Sequence, residues 1–400
     1  MLGLVLTAGG ARGAYQAGVL KRMGEIPAFR NQPSPFAIVA GASAGAINGT
    51  AIAALSGNFQ EATQLLARLW GRLTVADVFR PDLLSIGMNG ARLLVDMALG
   101  GWIGGGRVNA LLDASPLRRF LEASLPFEGI ADGIRKGHLY AVAITATSYH
   151  SGKSFIFIQG REGHPLWMKS RRVTMPVMLT VDHVCASASI PIVFSPVLLR
   201  SNLGNVFLGD GGLRLTTPFS PAIRLGATRV FGIGIRSQRA ADALSRAEQF
   251  AGESDGQGLG IVRPPLSQIC GVFLNAIFLD HLDTDLDHLQ RMNELIESHG
   301  PTPAGVKEPM RRVLPMVVHP SEDLAMVAKR LAHRMPRVVR YMMDGLGTPN
   351  AESADLMSYL LFDSMYTRTL IDIGYRDASA RIDEIEAFLR EGDAACALAS

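Results

Sequence analysis

The chain opens on short apolar runs that alternate with stretches of helical spacing. Residues 2–7 read as a strand, 14–23 as a helix, 36–40 as a strand and 44–55 as a helix, with glycine-rich turns between strand and helix. Alternation of this kind predicts a three-layer α/β/α fold, with a mainly parallel central sheet covered by helices on both faces. Over 60–73, Leu65, Leu66, Leu69 and Leu73 recur at helical spacing. After a glycine-rich break at 100–106, a further helix is expected to open with Ser115 as N-cap and Pro116 in its first turn, ahead of Leu117, Phe120 and Leu121. Residues 139–145 and 154–158 read as strands joined around His150, Ser151 and Gly152, and 180–187 as a short helix that stops before Pro191. Then come a strand at 206–208, a turn at 209–212, a helix at 218–225 and a buried strand at 229–235. Over 237–260 the sequence turns to Ala, Gly, Ser, Gln and charge, which marks a surface linker. The rest reads as mainly helical, apart from an apolar run at 313–318 able to rejoin the sheet. The expected organisation is an α/β domain over 1–236, a linker over 237–260 and a helical C-terminal extension over 261–400.

Composition narrows the function classes. A chain of 400 residues with 48% hydrophobic content can bury a sizeable core. Charged residues make up 19%, below the roughly 25% usual for soluble proteins, and the mean hydropathy of +0.19 fits contact with lipid. A net charge of +3 supplies no basic field for nucleic acid, and no zinc-knuckle or aromatic RNA-binding pattern is present. Cys185, Cys270 and Cys396 are far apart and lack metal-ligand spacing, which fits a reduced, cytoplasmic compartment. No Lys or Arg precedes Arg12, so the start reads as a buried strand rather than a signal peptide. No charge occurs between Arg30 and Glu61, but Pro33, Pro35, Asn48 and a glycine-serine interruption suit a core strand and buried helix better than a bilayer span.

Three short motifs carry candidate chemistry. Gly41-Ala42-Ser43-Ala44-Gly45 sits between a strand and an alanine-rich helix. There the small residues either hold a serine hydroxyl above the sheet as a nucleophile elbow, or simply make a tight turn. Ala8-Gly9-Gly10-Ala11-Arg12-Gly13 leaves the first strand and enters a helix, so its amides could cradle an anion; it matches neither a dinucleotide fingerprint nor a P-loop. With Ser43 nearby, an oxyanion hole explains it better, and Arg12 would either orient the loop or touch a lipid phosphate. Asp210, in Gly209-Asp210-Gly211-Gly212, is by itself a turn signal; its place at the end of a strand makes it a candidate site residue. None of the nine histidines has a distinctive local setting for a catalytic base.

Taken in order, 8–13, 41–45 and Asp210-Gly211-Gly212 resemble the three blocks of the patatin-like phospholipases, and Ala186-Ser187-Ala188-Ser189-Ile190-Pro191 resembles a segment lying between them in that family. The resemblance covers about the first 235 residues; Ala8 stands where the family often has a first glycine. It implies a lipid acyl hydrolase, phospholipase A or lysophospholipase in type, working through a Ser43–Asp210 dyad without histidine. Gly9, Gly10, Ala11, Arg12 and Gly13 would form the oxyanion hole, Gly41 and Gly45 would flank the nucleophile, and Gly211 and Gly212 would follow the aspartate. Phospholipid or another lipid ester is the implied substrate, with no cofactor and no metal. Transfer of the acyl group to another acceptor, thioester cleavage and a non-catalytic lipid-binding role stay open.

Two later features have plainer readings. His281, Asp285 and His288 would share one face of a helix over 266–298, which invites a metal; with Leu279, Leu282, Leu286 and Leu289 as its buried stripe, a solvated or salt-bridged face is the simpler account. Over 322–344, an apolar stripe from Leu324 to Met342 with Lys329, Arg330, Arg334, Arg337 and Arg340 elsewhere predicts a helix that either lies on an anionic membrane or packs on the core.

Overall fold

A computed structural model describes residues 1–80, 112–169, 171–201, 204–237, 269, 272–273, 275–277, 281–299, 310–335 and 354–397. Among them, ten strands form one mixed sheet: β1 Leu2–Leu6, β2 Ile38–Ala42, β3 Ala141–Ser148, β4 Ser154–Gly160, β5 Met168–Lys169, β6 Arg172–Pro176, β7 Val197–Ser201, β8 Gly204–Gly209, β9 Arg229–Ile233 and β10 Leu314–Val318. The order across it is β10-β9-β1-β2-β3-β4-β6-β5, with an antiparallel β7–β8 ribbon attached to β3 through β8. From β10 to β3 all neighbours are parallel, and the antiparallel pairs fall at β3–β4, β3–β8, β5–β6 and within the ribbon. The glycine-rich run at 100–106 and nearly all of 237–260 lie outside the described residues.

Side-chain alternation along the central strands divides the core in two. Leu4, Leu6, Val39, Val142 and Ile144 face a large cluster with helices α1 Gly13–Gly24, α2 Ala44–Ala54 and α3 Phe59–Arg72. Val5, Ile38, Ala40, Ala141 and Ala143 face a smaller cluster with Phe219, Ala222 and Leu282. Helices therefore cover both faces of the sheet, and the C-terminal segment is helical: α9 Ser364–Ala380 lies along α1, with the Ile371 backbone against Gly18 and the Tyr15 carbonyl against Gly374. Covered on both sides, α1 buries ten residues, including Gln16.

That Gln16 is buried is explained by its partners. Its Nε2 donates to the carbonyls of Thr7 (3.2 Å) and Ile233 (3.3 Å), at the ends of β1 and β9. Its Oε1 accepts from Asn48 Nδ2 (2.9 Å), which also donates to the Gly13 carbonyl (3.0 Å), while Asn48 Oδ1 accepts from Trp70 Nε1 (2.7 Å). Every donor and acceptor of the two amides is used, so the network locks α1, α2 and α3 to the strand ends.

Several sequence expectations are corrected. Helix α4 Ser115–Ser124 does begin at Ser115, but the cap is the Asp113 carboxylate, which accepts the Ser115 amide at 2.9 Å. Strand β7 and its ribbon were not foreseen, because the run through Pro196 and Arg200 lacks a clear alternation. Within α6 His281–His299, Leu282 is buried and Leu286 and Leu289 are half-buried, while Leu279 lies outside the described residues. Asp285, expected on a solvated or salt-bridged face, is buried and accepts the Phe219 amide at 2.8 Å; burial pushes its carboxyl up to about 6. The single helix expected over 322–344 is instead α7 Leu324–Arg330 followed by a 3-10 turn at Ala332–Arg334, with 336–353 outside the described residues. In α7, Leu324 and Val327 face the core, and Met335 beyond it is buried.

Asn48→Ala would strip partners from Trp70 Nε1, Gln16 Oε1 and the Gly13 carbonyl at once. It should destabilise the protein by about 2–4 kcal/mol, read as a lower urea midpoint. A loss under about 0.5 kcal/mol would show that these groups find other partners.

Candidate active site

Ser43 sits at the turn from β2 into α2 with φ 55 and ψ −124, a conformation costly for a non-glycine residue. The flanking glycines make the turn possible by close approach: a Cβ on Gly41 would overlap the Gly45 carbonyl, and one on Gly45 would overlap the Leu6 carbonyl. The elbow is thus pressed against the end of β1, and the Ser43 hydroxyl stands at the carboxyl end of the parallel strands.

Asp210 arrives along the same edge of β3 that pairs with β2, from β8 beyond the end of β2. In the ribbon, Gly209 pairs with Thr147, and Gly211 lies so close to the Thr145 carbonyl that a Cβ would not fit. Asp210 therefore stands at the end of a strand, as the sequence suggests, and that strand is one arm of an antiparallel ribbon. Its main chain is fixed on both sides: its amide donates to the Ser189 carbonyl (2.9 Å) and its carbonyl accepts from Thr147 Oγ1 (2.8 Å). The Ser43 hydroxyl donates to Asp210 Oδ2 at 2.6 Å, and the Gly212 amide donates to Oδ1 at 2.7 Å. Neither Ser43 nor Asp210 hydrogen-bonds a histidine among the described residues, which include all nine.

Burial is complete at Asp210 and pushes its carboxyl up to about 7, against the lowering effect of the bonds from Ser43 and Gly212. Tyr149, whose ring lies against Gly209, is itself raised by burial and by the Asp210 charge.

The glycine loop forms a 3-10 turn at Gly10–Arg12 before α1. Its Arg12 amide donates to the Gly9 carbonyl at 3.1 Å, and the Gly13 amide closes back on the same turn. These two amides, expected in an oxyanion hole, are already engaged, which leaves Gly9, Gly10 and Ala11. Gly13 sets the loop against the elbow, since a Cβ there would overlap Ala44 and Trp70. The Arg12 side chain, expected to orient the loop or reach a lipid phosphate, is buried and turned toward the C-terminal helices.

An apolar cleft of about 540 Å³, part of it open to solvent, begins at Ser43 and Gly10. Ile47, Trp70, Leu117, Phe120, Phe194 and Phe362 are among its walls. Sequence reasoning gave no role to Ser187, the last residue of helix α5 Val181–Ser187, whose hydroxyl accepts the Ser43 amide (2.9 Å) and donates to the Thr145 carbonyl (2.6 Å). Its signal was the Ala-Ser-Ala-Ser block at 186–189, where a small polar residue in an apolar helix end asks for a buried partner. Among the described residues no group of His, Cys, Asp or Glu is arranged to hold a metal ion, and no helix is long and apolar enough to cross a membrane.

With this arrangement in view, comparison with known proteins gives the class. A family model for patatin-like phospholipase matches residues 4–223, more than half of the 400-residue chain, and the chain belongs to that family of lipid acyl hydrolases. Among solved structures it is similar to VipD from Legionella pneumophila, with 14% identity and a TM-score of 0.31 over 92% of this chain and 66% of that one. It is also similar to human GIVD cytosolic phospholipase A2 in complex with methyl gamma-linolenyl fluorophosphonate, with 11% identity and a TM-score of 0.42 over 98% of this chain and 59% of that one. The chain thus spans under two-thirds of the length of either. No relative among curated proteins matches it.

The raised Asp210 carboxyl has a consequence for stability. An ordinary carboxyl loses its proton near 3.8 and the folded one near 7, so between these values the folded state holds an extra proton and unfolding becomes easier as pH rises. Asp210→Asn, able to accept from Gly212 and donate to Ser43 Oγ, lacks this dependence. Its urea midpoint should exceed that of wild type by a margin that widens between about pH 5 and about pH 8. A margin independent of pH would contradict a buried, late-titrating carboxyl.

Proposed function

We propose that the protein hydrolyses the carboxylic esters of lipids, as a phospholipase A or lysophospholipase, with Ser43 as nucleophile and Asp210 as base. The observation that carries this reading is the 2.6 Å bond from the Ser43 hydroxyl to a fully buried carboxylate, at the head of an apolar cleft shaped for a hydrocarbon chain. Asp210 Oδ2 takes the proton as Ser43 Oγ attacks the ester carbonyl. The oxygen of the tetrahedral intermediate meets the amides of Gly9, Gly10 and Ala11. Collapse breaks the ester bond, and the departing alcohol takes the proton from Asp210, leaving an acyl group on Ser43. Water then gives a proton to the same carboxylate and attacks the acyl-serine, releasing the fatty acid and returning the proton to Ser43.

A carboxyl near its ordinary value would be a weak base for a serine; one at about 7 is matched to neutral pH. The deprotonated form is the active one, so kcat/KM should rise with pH up to about 7 and then level off. On defined phospholipids and a soluble short-chain ester, Ser43→Ala should bring hydrolysis to background, and Asp210→Asn should lower it by about 10³-fold or more. Appreciable turnover by purified Ser43→Ala, or a wild-type acid limb centred near pH 4, would refute the dyad.

A further inference from the structure

The family match stops at residue 223, yet the glycine turn beside Ser43 is held by residues more than 340 positions from it. Arg12, the last residue of the turn, is buried. Its Nε donates to Ser358 Oγ at 2.7 Å, its Nη2 to Asp355 Oδ1 at 2.9 Å, and the group lies 4.6 Å from the centre of the Tyr359 ring. All three partners belong to α8 Ala354–Leu360. This helix is itself anchored, since Tyr366 Oη donates to the carbonyls of Ser358 (3.4 Å) and Leu324 (3.1 Å).

The same helix touches the turn directly. Gly10 has φ +54 and lies against the Tyr359 carbonyl, with no room for a Cβ. Two residues beyond α8, Phe362 joins Gly10 and Ser43 in the wall of the apolar cleft. A turn of three residues has few internal bonds to keep its amides aimed, and a guanidinium taken out of water holds its position only while its charge and donors are matched.

We propose that Asp355 and Ser358 are positioning residues for the active site: through Arg12 they aim the Gly10 and Ala11 amides, and with Phe362 they make the segment 355–362 a working part of a site whose reacting groups come from the first 210 residues. The proposal rests on the reading of Ser43 and Asp210 as the dyad. Asp355 and Ser358 touch no reacting atom, so their effect appears where the amides act, on the transition state and not on substrate capture.

The test measures hydrolysis of a soluble short-chain ester by full-length Asp355→Asn, Ser358→Ala and Asp355→Glu, with the folded active sites of each counted by labelling with a fluorophosphonate. In Asp355→Asn, kcat per labelled site should fall at least about tenfold while KM stays within about twofold and the acid limb set by Asp210 stays in place. Ser358→Ala should show a smaller loss of the same kind, and Asp355→Glu should recover most of the rate. Hydrogen exchange at Gly10 and Ala11 should quicken in Asp355→Asn. A helix that merely packs would reduce the number of labelled sites without changing kcat per site. Unchanged kcat per site in the folded variants overturns the proposal; if Asp355→Asn does not fold, Ser358→Ala decides by the same criterion. Wild type inert toward both ester and probe would sink the dyad reading, and this proposal with it, whereas active wild type with unaltered variants sinks this proposal alone.

Discussion

The structure turns on the burial of one carboxylate. Asp210 is taken fully out of water and offered the Ser43 hydroxyl and the Gly212 amide, too little to hold an acid at its usual strength. The surroundings are built to keep that imbalance in place. Thr147 and Ser189 fix the Asp210 main chain, Ser187 fixes the Ser43 amide, and β3 supports both residues, through the Thr145 carbonyl on Ser187 and the Thr147 hydroxyl on Asp210. The raised pKa is the product of these constraints and not a property of the aspartate alone.

The fold around this pair was legible where the sequence has a strong local signal. Strand and helix alternation marks β1, α1, β2 and α2 within a residue or two, because each strand is a continuous apolar run and each turn is rich in glycine. Ser43 was legible for the same reason: its motif lies where a strand gives way to a helix. Asp210 was named from its Asp-Gly-Gly block, but not the antiparallel ribbon that delivers it, since β7 carries Pro196 at its entry and Arg200 within it and has no period of two to read.

What the sequence could not show is long-range pairing. Nothing local says that Gln16 meets Asn48, that Asp285 folds inward onto Phe219, or that Arg12 turns to Asp355 and not to a ligand. A charged residue in a glycine loop looks like a ligand contact until its partner is known, and here the partner lies at the other end of the chain. The stripe over 322–344 showed that one face would be buried, which α7 bears out, but not that the helix would stop at Arg330. Periodicity reports a face; it does not report what covers it.

The contact of α1 with α9 and α8 also has a bearing on how the protein is made. The glycine turn and α1 leave the ribosome well ahead of their partners: Ile371, which backs Gly18, and Asp355, which pairs with Arg12, are each translated more than 340 residues later. At the usual pace of synthesis, this separation is a delay of roughly 20–70 s. During it the nascent chain carries the Ser43 elbow without the buttress that fixes the adjoining turn, so synthesis of the 355–371 segment times the maturation of the site.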